Sequence, residues 1–156
     1  MELEIFLNDE QDTLELGNFI GKIIKPSITI YLFGDLGSGK TLLSKGIAKG
    51  LGINEDDITS PTFTLINHYS LKNFDLYHLD LYRLNSLKEI LNLGIEDFVD
   101  NNSIILIEWA EKLNNYKLTD NFINIKLEHL KSGRKCLISL SNEVIFNEFS
   151  KFKNKR

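Results

Sequence analysis

The segment from Gly34 to Thr41 constrains the fold of this chain more than any other, because it reads Gly-Asp-Leu-Gly-Ser-Gly-Lys-Thr. This is the complete pattern of a Walker A loop, whose backbone N–H groups surround the phosphates of a nucleoside triphosphate. Such a loop connects a strand to a helix. The β-branched and aromatic run 28–33 predicts the strand, and the apolar spacing of residues 42–49 predicts the helix. The sequence therefore predicts a strand–loop–helix unit that binds a nucleoside triphosphate with Mg²⁺.

The residue types within this loop fit phosphate binding. Gly34, Gly37 and Gly39 allow backbone conformations that residues with a Cβ rarely adopt, so successive N–H groups can turn inward. The positive end of the following helix adds to the anion site. We expect the Lys40 ammonium group to reach the β- and γ-phosphates and the Thr41 hydroxyl to bind Mg²⁺. The alternative is a glycine-rich turn with a surface lysine, which leaves the flanking strand and helix patterns unexplained.

Composition limits the class of protein. The 156 residues fit one P-loop domain, 1–156, which buries roughly 68–70% of its unfolded surface. With 42% apolar and 26% charged residues and no apolar run near the roughly 20 residues of a bilayer span, no membrane association is expected.

The acidic N-terminus, Met1 to Glu4, is unlike a signal peptide, so a cytoplasmic location is expected. The net charge of −4 means that the chain has no excess of positive charge to bind nucleic acid nonspecifically. The single cysteine, Cys136, excludes an intrachain disulfide and is expected to be a buried, unreactive thiol.

The strand patterns predict an α/β, P-loop NTPase-like three-layer fold. Its central sheet is expected to be mixed and largely parallel, with antiparallel additions. The run 104–107 is apolar throughout and predicts a central strand. After Ser60-Pro61, two strand-like runs at 62–69 and 74–81 are close enough to form an antiparallel hairpin. Further strands are expected at 2–7, 122–127 and 135–140.

Helix boundaries follow from polar residues that resemble capping boxes. Asn8 with Gln11 predicts a helix that runs to about residue 24, and Ser86 with Glu89 predicts a short helix that ends at Gly94. Near the C-terminus, an apolar helical face is followed by a basic tail, 153–156, that is expected to be solvated. The residues of that face are Ile145, Phe149 and Phe152.

Two acidic residues are candidates for binding the metal and activating water. Glu108 follows the apolar strand in a Walker B pattern, with glutamate in place of the commoner aspartate, and could bind Mg²⁺ directly or through a water. Asp80 shares one strand face with His78 and Tyr82, and near a γ-phosphate it could orient or deprotonate a water or bind Mg²⁺ through its hydration shell. An exposed hairpin face explains the same pattern, and for His78 a structural role is favoured. Trp109, beside Glu108, fits packing, and its fluorescence is expected to report nucleotide occupancy.

Five sequence blocks follow one another along nearly the whole chain: 34–41, 60–65 (Ser-Pro-Thr-Phe-Thr-Leu), 78–84 (His-Leu-Asp-Leu-Tyr-Arg-Leu), 94–95 and 107–109 (Ile-Glu-Trp). In this order they resemble the TsaE (YjeE) family. Members of that family are bacterial P-loop ATPases of tRNA N6-threonylcarbamoyladenosine synthesis, which act with the TsaB and TsaD proteins on adenosine 37 of tRNA. The resemblance implies ATP and Mg²⁺ as cofactors, the TsaB–TsaD complex as partner and tRNA as at least an indirect partner.

The resemblance also assigns expected roles to residues. It implies that Asp80 is the acid needed for hydrolysis, that Thr41 and Glu108 serve the magnesium, and that Ser60-Pro61-Thr62 is a switch segment facing the γ-phosphate. Ala110 stands where the family often has proline, which leaves the loop after the strand less constrained. The expected phosphate-binding residues are Leu36, Gly37, Ser38, Gly39, Lys40 and Thr41, and those expected near the nucleoside are Glu10, Thr13 and Arg134.

Three functions remain open on these residues: an ATPase that drives or resets a partner complex, a small-molecule kinase, and a nucleotide-sensing module without turnover. Kinases of this fold usually hold phosphates with several arginines, whereas this chain has only Arg83, Arg134 and Arg156. No arginine finger is evident, so we expect hydrolysis by the isolated protein at about 10⁻⁴ to 10⁻² s⁻¹ and acceleration by a partner. The choice of ATP over GTP rests on the family.

Overall fold

One seven-stranded mixed sheet organises the computed structural model, which describes residues 1–156. Its elements are β1 (Glu2–Leu7), α1 (Glu10–Ile23), β2 (Ile28–Phe33), α2 (Lys40–Gly50), β3 (Ile66–Ser70), β4 (Asp75–Asp80), α3 (Leu87–Asn92), β5 (Ser103–Glu108), β6 (Phe122–His129), β7 (Arg134–Leu140) and α4 (Glu143–Asn154). The strand order is β1-β7-β6-β2-β5-β4-β3. The four central strands are parallel, and β1, β7 and β3 are antiparallel additions. The predicted fold class is therefore confirmed.

Two apolar layers sandwich the centre of this sheet. All six residues of β5 are buried, which matches its apolar run and its place between β2 and β4. One layer packs α1, α2 and α4 against the sheet. The other packs α3 and two 3₁₀ turns, 95–98 and 110–113, against the opposite face. Because β2, β5 and β4 are parallel, their carboxyl ends all lie at one edge, where functional side chains of α/β proteins gather.

The helix that follows the phosphate loop is held by an unusually close contact with α1. A Cβ on Gly21 would lie 2.3 Å from the carbonyl oxygen of Ile47, and a Cβ on Gly46 would lie 2.7 Å from that of Leu14. Only hydrogen fits at these positions, so the two backbones touch along the contact. This packing fixes the position of α2, and with it the loop at its N-terminus.

The segment from Thr62 to Leu65 forms a turn, so the prediction of a strand across 62–69 is wrong for its first four residues. Leu65 has a φ of +67°, and its N–H donates to the carbonyl of Pro61. The Thr64 hydroxyl bonds to the side chain of Asn67 at 2.7 Å. Such local hydrogen bonds compete with pairing to a neighbouring strand. The antiparallel hairpin of β3 and β4 is confirmed.

Two helix ends differ from prediction. The N-cap of α1 is Asp9, not Asn8, because the Asp9 carboxylate accepts from the N–H of Asp12 at 2.8 Å. The C-terminal tail, 153–156, is exposed as predicted, but α4 extends into it as far as Asn154 and the Arg156 guanidinium forms an ion pair with Asp12. An opposite charge within reach at the start of α1 thus holds the end of the chain. The capping box at Ser86 is confirmed.

Cys136 is fully buried in β7, as predicted for an unreactive thiol. Burial alone raises the pKa of this thiol to about 12, so the nucleophilic thiolate is scarce at neutral pH. Among the helices, none combines the length and the apolar character that crossing a membrane requires.

Candidate nucleotide site

Two glycines shape the phosphate loop between β2 and α2. Gly34 has a φ of +143°, and a Cβ there would lie 2.6 Å from the Ser38 hydroxyl oxygen and 2.7 Å from the Leu127 carbonyl oxygen. Gly39, with a φ of +109°, is the N-cap of α2 and offers no side-chain hydrogen bond to the first turn. The N–H groups at the start of α2 therefore remain available to an anion.

Lys40 is folded back onto this loop. Its ammonium nitrogen lies 2.5 Å from the carbonyl oxygen of Gly34 and 2.9 Å from that of Asp35. It also lies 4.1 Å from the ring centre of Trp109, a cation–π contact. Burial lowers the pKa of Lys40 below its usual value, although the carboxylates of Glu111 and Glu108 oppose this shift. The Lys40 ammonium group is thus held over the loop, where a bound triphosphate would need a cation.

Glu108 and Thr41 are in direct contact. The Thr41 hydroxyl donates to Oε1 of Glu108 at 2.9 Å, and Oε2 lies 2.5 Å from Nε2 of His78. Burial acts to raise the pKa of Glu108, but the hydrogen bonds from His78 and Thr41 outweigh it, so the pKa lies below its usual value. The carboxylate is therefore ionised at neutral pH and able to bind a cation.

The donor set fits Mg²⁺ bound together with a nucleotide. One hydroxyl and one carboxylate are hard oxygen ligands, and no cluster of three or more His, Cys, Asp or Glu side chains builds an all-protein metal cage. Mg²⁺ usually keeps several waters and takes further ligands from substrate phosphates. Thr41 and Glu108 are thus the residues that would hold such an ion.

Asp80 faces the same site from the adjacent strand. It pairs in register with Glu108, and its side chain is buried. Its Oδ1 accepts from the N–H of Tyr82 at 3.0 Å, and its Oδ2 accepts from the Thr62 hydroxyl at 3.3 Å. The alternative of an exposed hairpin face is therefore wrong for Asp80 and for His78, which is also buried.

Most of the remaining predicted residues surround one cleft of about 270 Å³. Its lining residues are Glu10, Leu36, Gly37, Ser38, Gly39, Lys40, Thr41, Leu42, Glu108, Trp109 and Arg134. Arg134 lies over the loop, with Nη2 3.4 Å from the carbonyl oxygen of Gly37 and a buried Nε that has no partner. Thr13 does not reach the cleft, because it is buried in α1 and its hydroxyl donates to the carbonyl of Asp9 at 3.3 Å. A larger groove of about 440 Å³ between α1 and α2 contains neither the loop nor the two acids.

Three contacts in the site could not be predicted from the sequence. For His78 the sequence predicts a structural role, but it does not show that His78 bonds to Glu108. Trp109 was interpreted as packing, and its contact with Lys40 could not be read from the chain. Glu111 accepts a hydrogen bond from the N–H of Gly34 at 2.9 Å across 77 residues of sequence, and no local pattern signals such a contact.

The phosphate loop, the parallel strands beside it and the two acids at their ends define a P-loop protein of the NTPase-like α/β class. Comparison with known proteins narrows this class. The model of the family described as "Threonylcarbamoyl adenosine biosynthesis protein TsaE" matches residues 7–136. The chain belongs to the TsaE family.

Curated relatives and a solved structure agree with this assignment. A protein of Nostoc sp. described as tRNA threonylcarbamoyladenosine biosynthesis protein TsaE is 45% identical over 134 residues, which cover 83% of this chain and 80% of the relative. A protein of Haemophilus influenzae with the same description is 33% identical over 154 residues, or 96% of each chain. The crystal structure of Bacillus subtilis YdiB matches with a TM-score of 0.72 at 26% identity, covering 99% of this chain and 96% of YdiB.

Proposed function

We propose that this chain binds Mg-ATP and hydrolyses it to ADP in order to drive or reset the TsaB–TsaD complex, in the cytoplasmic synthesis of N6-threonylcarbamoyladenosine at position 37 of tRNA. Membership of the TsaE family supports the pathway. The observation that carries the catalytic part is the position of Lys40 and Glu108 on one cleft, with Asp80 in register with Glu108 on the adjacent parallel strand and near enough to influence the pKa of Lys40.

Each of these side chains has a task in this proposal. Lys40 leaves the carbonyls of Gly34 and Asp35 for the β- and γ-phosphates, while the loop N–H groups hold the phosphate oxygens. Thr41 and Glu108 hold Mg²⁺, which would neutralise charge on the phosphates. Asp80 accepts a proton from, or orients, the water that attacks the γ-phosphorus.

A partner is needed for fast turnover in this proposal. Arg134 lies on the loop, with Nη2 3.4 Å from the Gly37 carbonyl oxygen, and Arg83 stacks on Phe63 at 4.3 Å, so both guanidinium groups are held by the protein itself. Leu36, which lines the cleft, is 74% exposed, and Phe63, next to Thr62, is 77% exposed. Exposed apolar side chains beside an open phosphate site favour a protein surface that covers them and completes the site.

A phosphate-release assay tests the proposal. We expect slow release of phosphate by the isolated protein, clear stimulation by TsaB and TsaD together, and loss of both in Lys40→Ala. Absence of stimulation combined with unchanged release by Lys40→Ala contradicts it. Transfer of the γ-phosphate to an acceptor in preference to water indicates a kinase, and tight ATP binding with no effect of Asp80→Ala on turnover or partner release indicates a sensor.

A further inference from the structure

The chain turns sharply after β5 and returns across the phosphate loop. Trp109 has a φ of +58°, a left-handed conformation that is uncommon for a residue with a bulky side chain. Trp109 is the N-cap of the 3₁₀ turn 110–113, so this turn begins two residues after Glu108 in the sequence. Ala110 and Leu113 are buried in the core on that side of the sheet, so the turn is firmly seated. Strain of this kind is retained where the surroundings hold the backbone in place.

The seated turn presents one carboxylate to the start of the loop. Oε2 of Glu111 accepts the N–H of Gly34 at 2.9 Å. Gly34 lies just past the end of β2, and it is confined between the Ser38 side chain and the Leu127 carbonyl. A hydrogen bond to an ionised carboxylate is about twice as strong as a neutral one.

The same carboxylate also acts on the cation of the loop. Among the charged groups that oppose the lowered pKa of Lys40, Glu111 has the largest influence, ahead of Glu108 and Asp80. Glu111 thus contacts the backbone at the first residue of the loop and stabilises the charge on its lysine. Its own side chain is exposed and takes no part in the core.

We infer that Glu111 is a positioning residue that fastens the first residue of the phosphate loop to the segment carrying Glu108. The distance between Glu108 and the phosphate loop is then fixed before the nucleotide binds. Binding of Mg-nucleotide therefore does not have to bring the two segments into position. This inference rests on the proposed nucleotide site, and its chemical basis is the carboxylate–amide hydrogen bond, not a contact of Glu111 with the substrate.

Paired substitutions separate this role from a general effect of charge. Glu111→Gln keeps an oxygen that can accept from Gly34, whereas Glu111→Ala removes it. Asp57→Ala is the matched control, because Asp57 is also an exposed acid in a 3₁₀ turn, at 55–57, and its side chain makes no hydrogen bond. Nucleotide affinity is measured by calorimetry with Mg-ADP. We expect Glu111→Ala to weaken binding about tenfold, Glu111→Gln to remain within about threefold of the wild type, and Asp57→Ala to match the wild type.

A second measurement on the empty full-length protein does not require nucleotide. The Gly34 amide proton should exchange with solvent at least about tenfold faster in Glu111→Ala than in the wild type, as followed by NMR, with little change in Glu111→Gln. Unchanged exchange and unchanged affinity in Glu111→Ala would overturn the inference, and so would equal losses in Glu111→Gln and Glu111→Ala. If the wild type bound no nucleotide, the proposed function would fail, while the exchange of Gly34 would still decide the role of Glu111.

Discussion

The phosphate loop and the turn that contacts Asp80 form two sides of the site, and they are built differently. On one side, Gly34 at the start of the phosphate loop is confined between Ser38 and Leu127, and the helix after the loop is held by glycine contacts with α1. On the other side, Thr62 lies in an exposed turn next to the edge hairpin, and it reaches Asp80 through a single hydrogen bond of 3.3 Å. A rigid cradle beside a weakly held turn is the arrangement expected of a switch, in which one side binds phosphate and the other responds to it. Substitutions on the two sides should therefore affect different steps.

The largest effect is expected on the rigid side. Lys40→Ala removes the only ammonium group in the cleft and should reduce hydrolysis about 10³-fold and weaken ATP binding, because a preorganised charge on the phosphates is lost. Phosphate release and ATP titration measure the two effects. Lys45→Ala, on the exposed face of the same helix, is the control and should behave as the wild type. Equal effects of the two substitutions would contradict the assignment of Lys40.

The next effect lies on the responsive side. Asp80→Asn should lower partner-stimulated hydrolysis about 10²-fold while leaving ATP affinity within about twofold, because the proton acceptor is lost but the cradle is intact. Single-turnover hydrolysis and an ATP titration provide the two values. Asp75→Asn is the control, since Asp75 lies on the same strand and contacts His68. Loss of binding without a change in turnover would assign Asp80 to the rigid side.

A smaller effect on stability tests how Glu108 is supported. His78→Ala leaves a buried carboxylate oxygen without its partner at 2.5 Å and should lower the free energy of unfolding by about 1–3 kcal/mol. Urea denaturation measures this change. His68→Ala breaks an exposed contact with Asp75 and should cost less than about 1 kcal/mol. Similar values for the two variants would show that the buried pair contributes little.

The smallest effect is expected at the turn. Thr62→Ala removes a single neutral donor, so ATP affinity should fall only about fivefold and ADP affinity should not change, if Thr62 responds to the γ-phosphate. Titration with the two nucleotides gives the comparison. Thr64→Ala, whose hydroxyl bonds to Asn67 instead of the site, should affect neither. Equal losses for ATP and ADP would place Thr62 with the rigid cradle.

The difference between the two sides also explains what the sequence could predict. The loop, the central strand at 104–107 and Glu108 follow from local patterns, because glycine, lysine and apolar runs impose structure on their immediate neighbours. The turn at 62–65 was misassigned, since its hydrogen bonds override the strand-like residue types. Contacts between distant segments could not be predicted from local patterns. The hydrogen bonds of His78 with Glu108 and of Glu111 with Gly34 depend on the order of the strands in the sheet. The burial of Thr13 depends likewise on how α1 packs.

The central claim is that Thr41, Glu108 and Lys40 bind one magnesium–triphosphate unit. The most direct test is the effect of Mg²⁺ on ATP affinity, followed by Trp109 fluorescence, because nucleotide binding should draw the Lys40 ammonium group away from the indole ring that it now contacts at 4.1 Å. We predict that Mg²⁺ tightens ATP binding at least about tenfold in the wild type and has little effect in Glu108→Gln, which loses one ionised oxygen ligand. ATP binding that is independent of Mg²⁺ in the wild type, or an equal response in Glu108→Gln, would contradict the account.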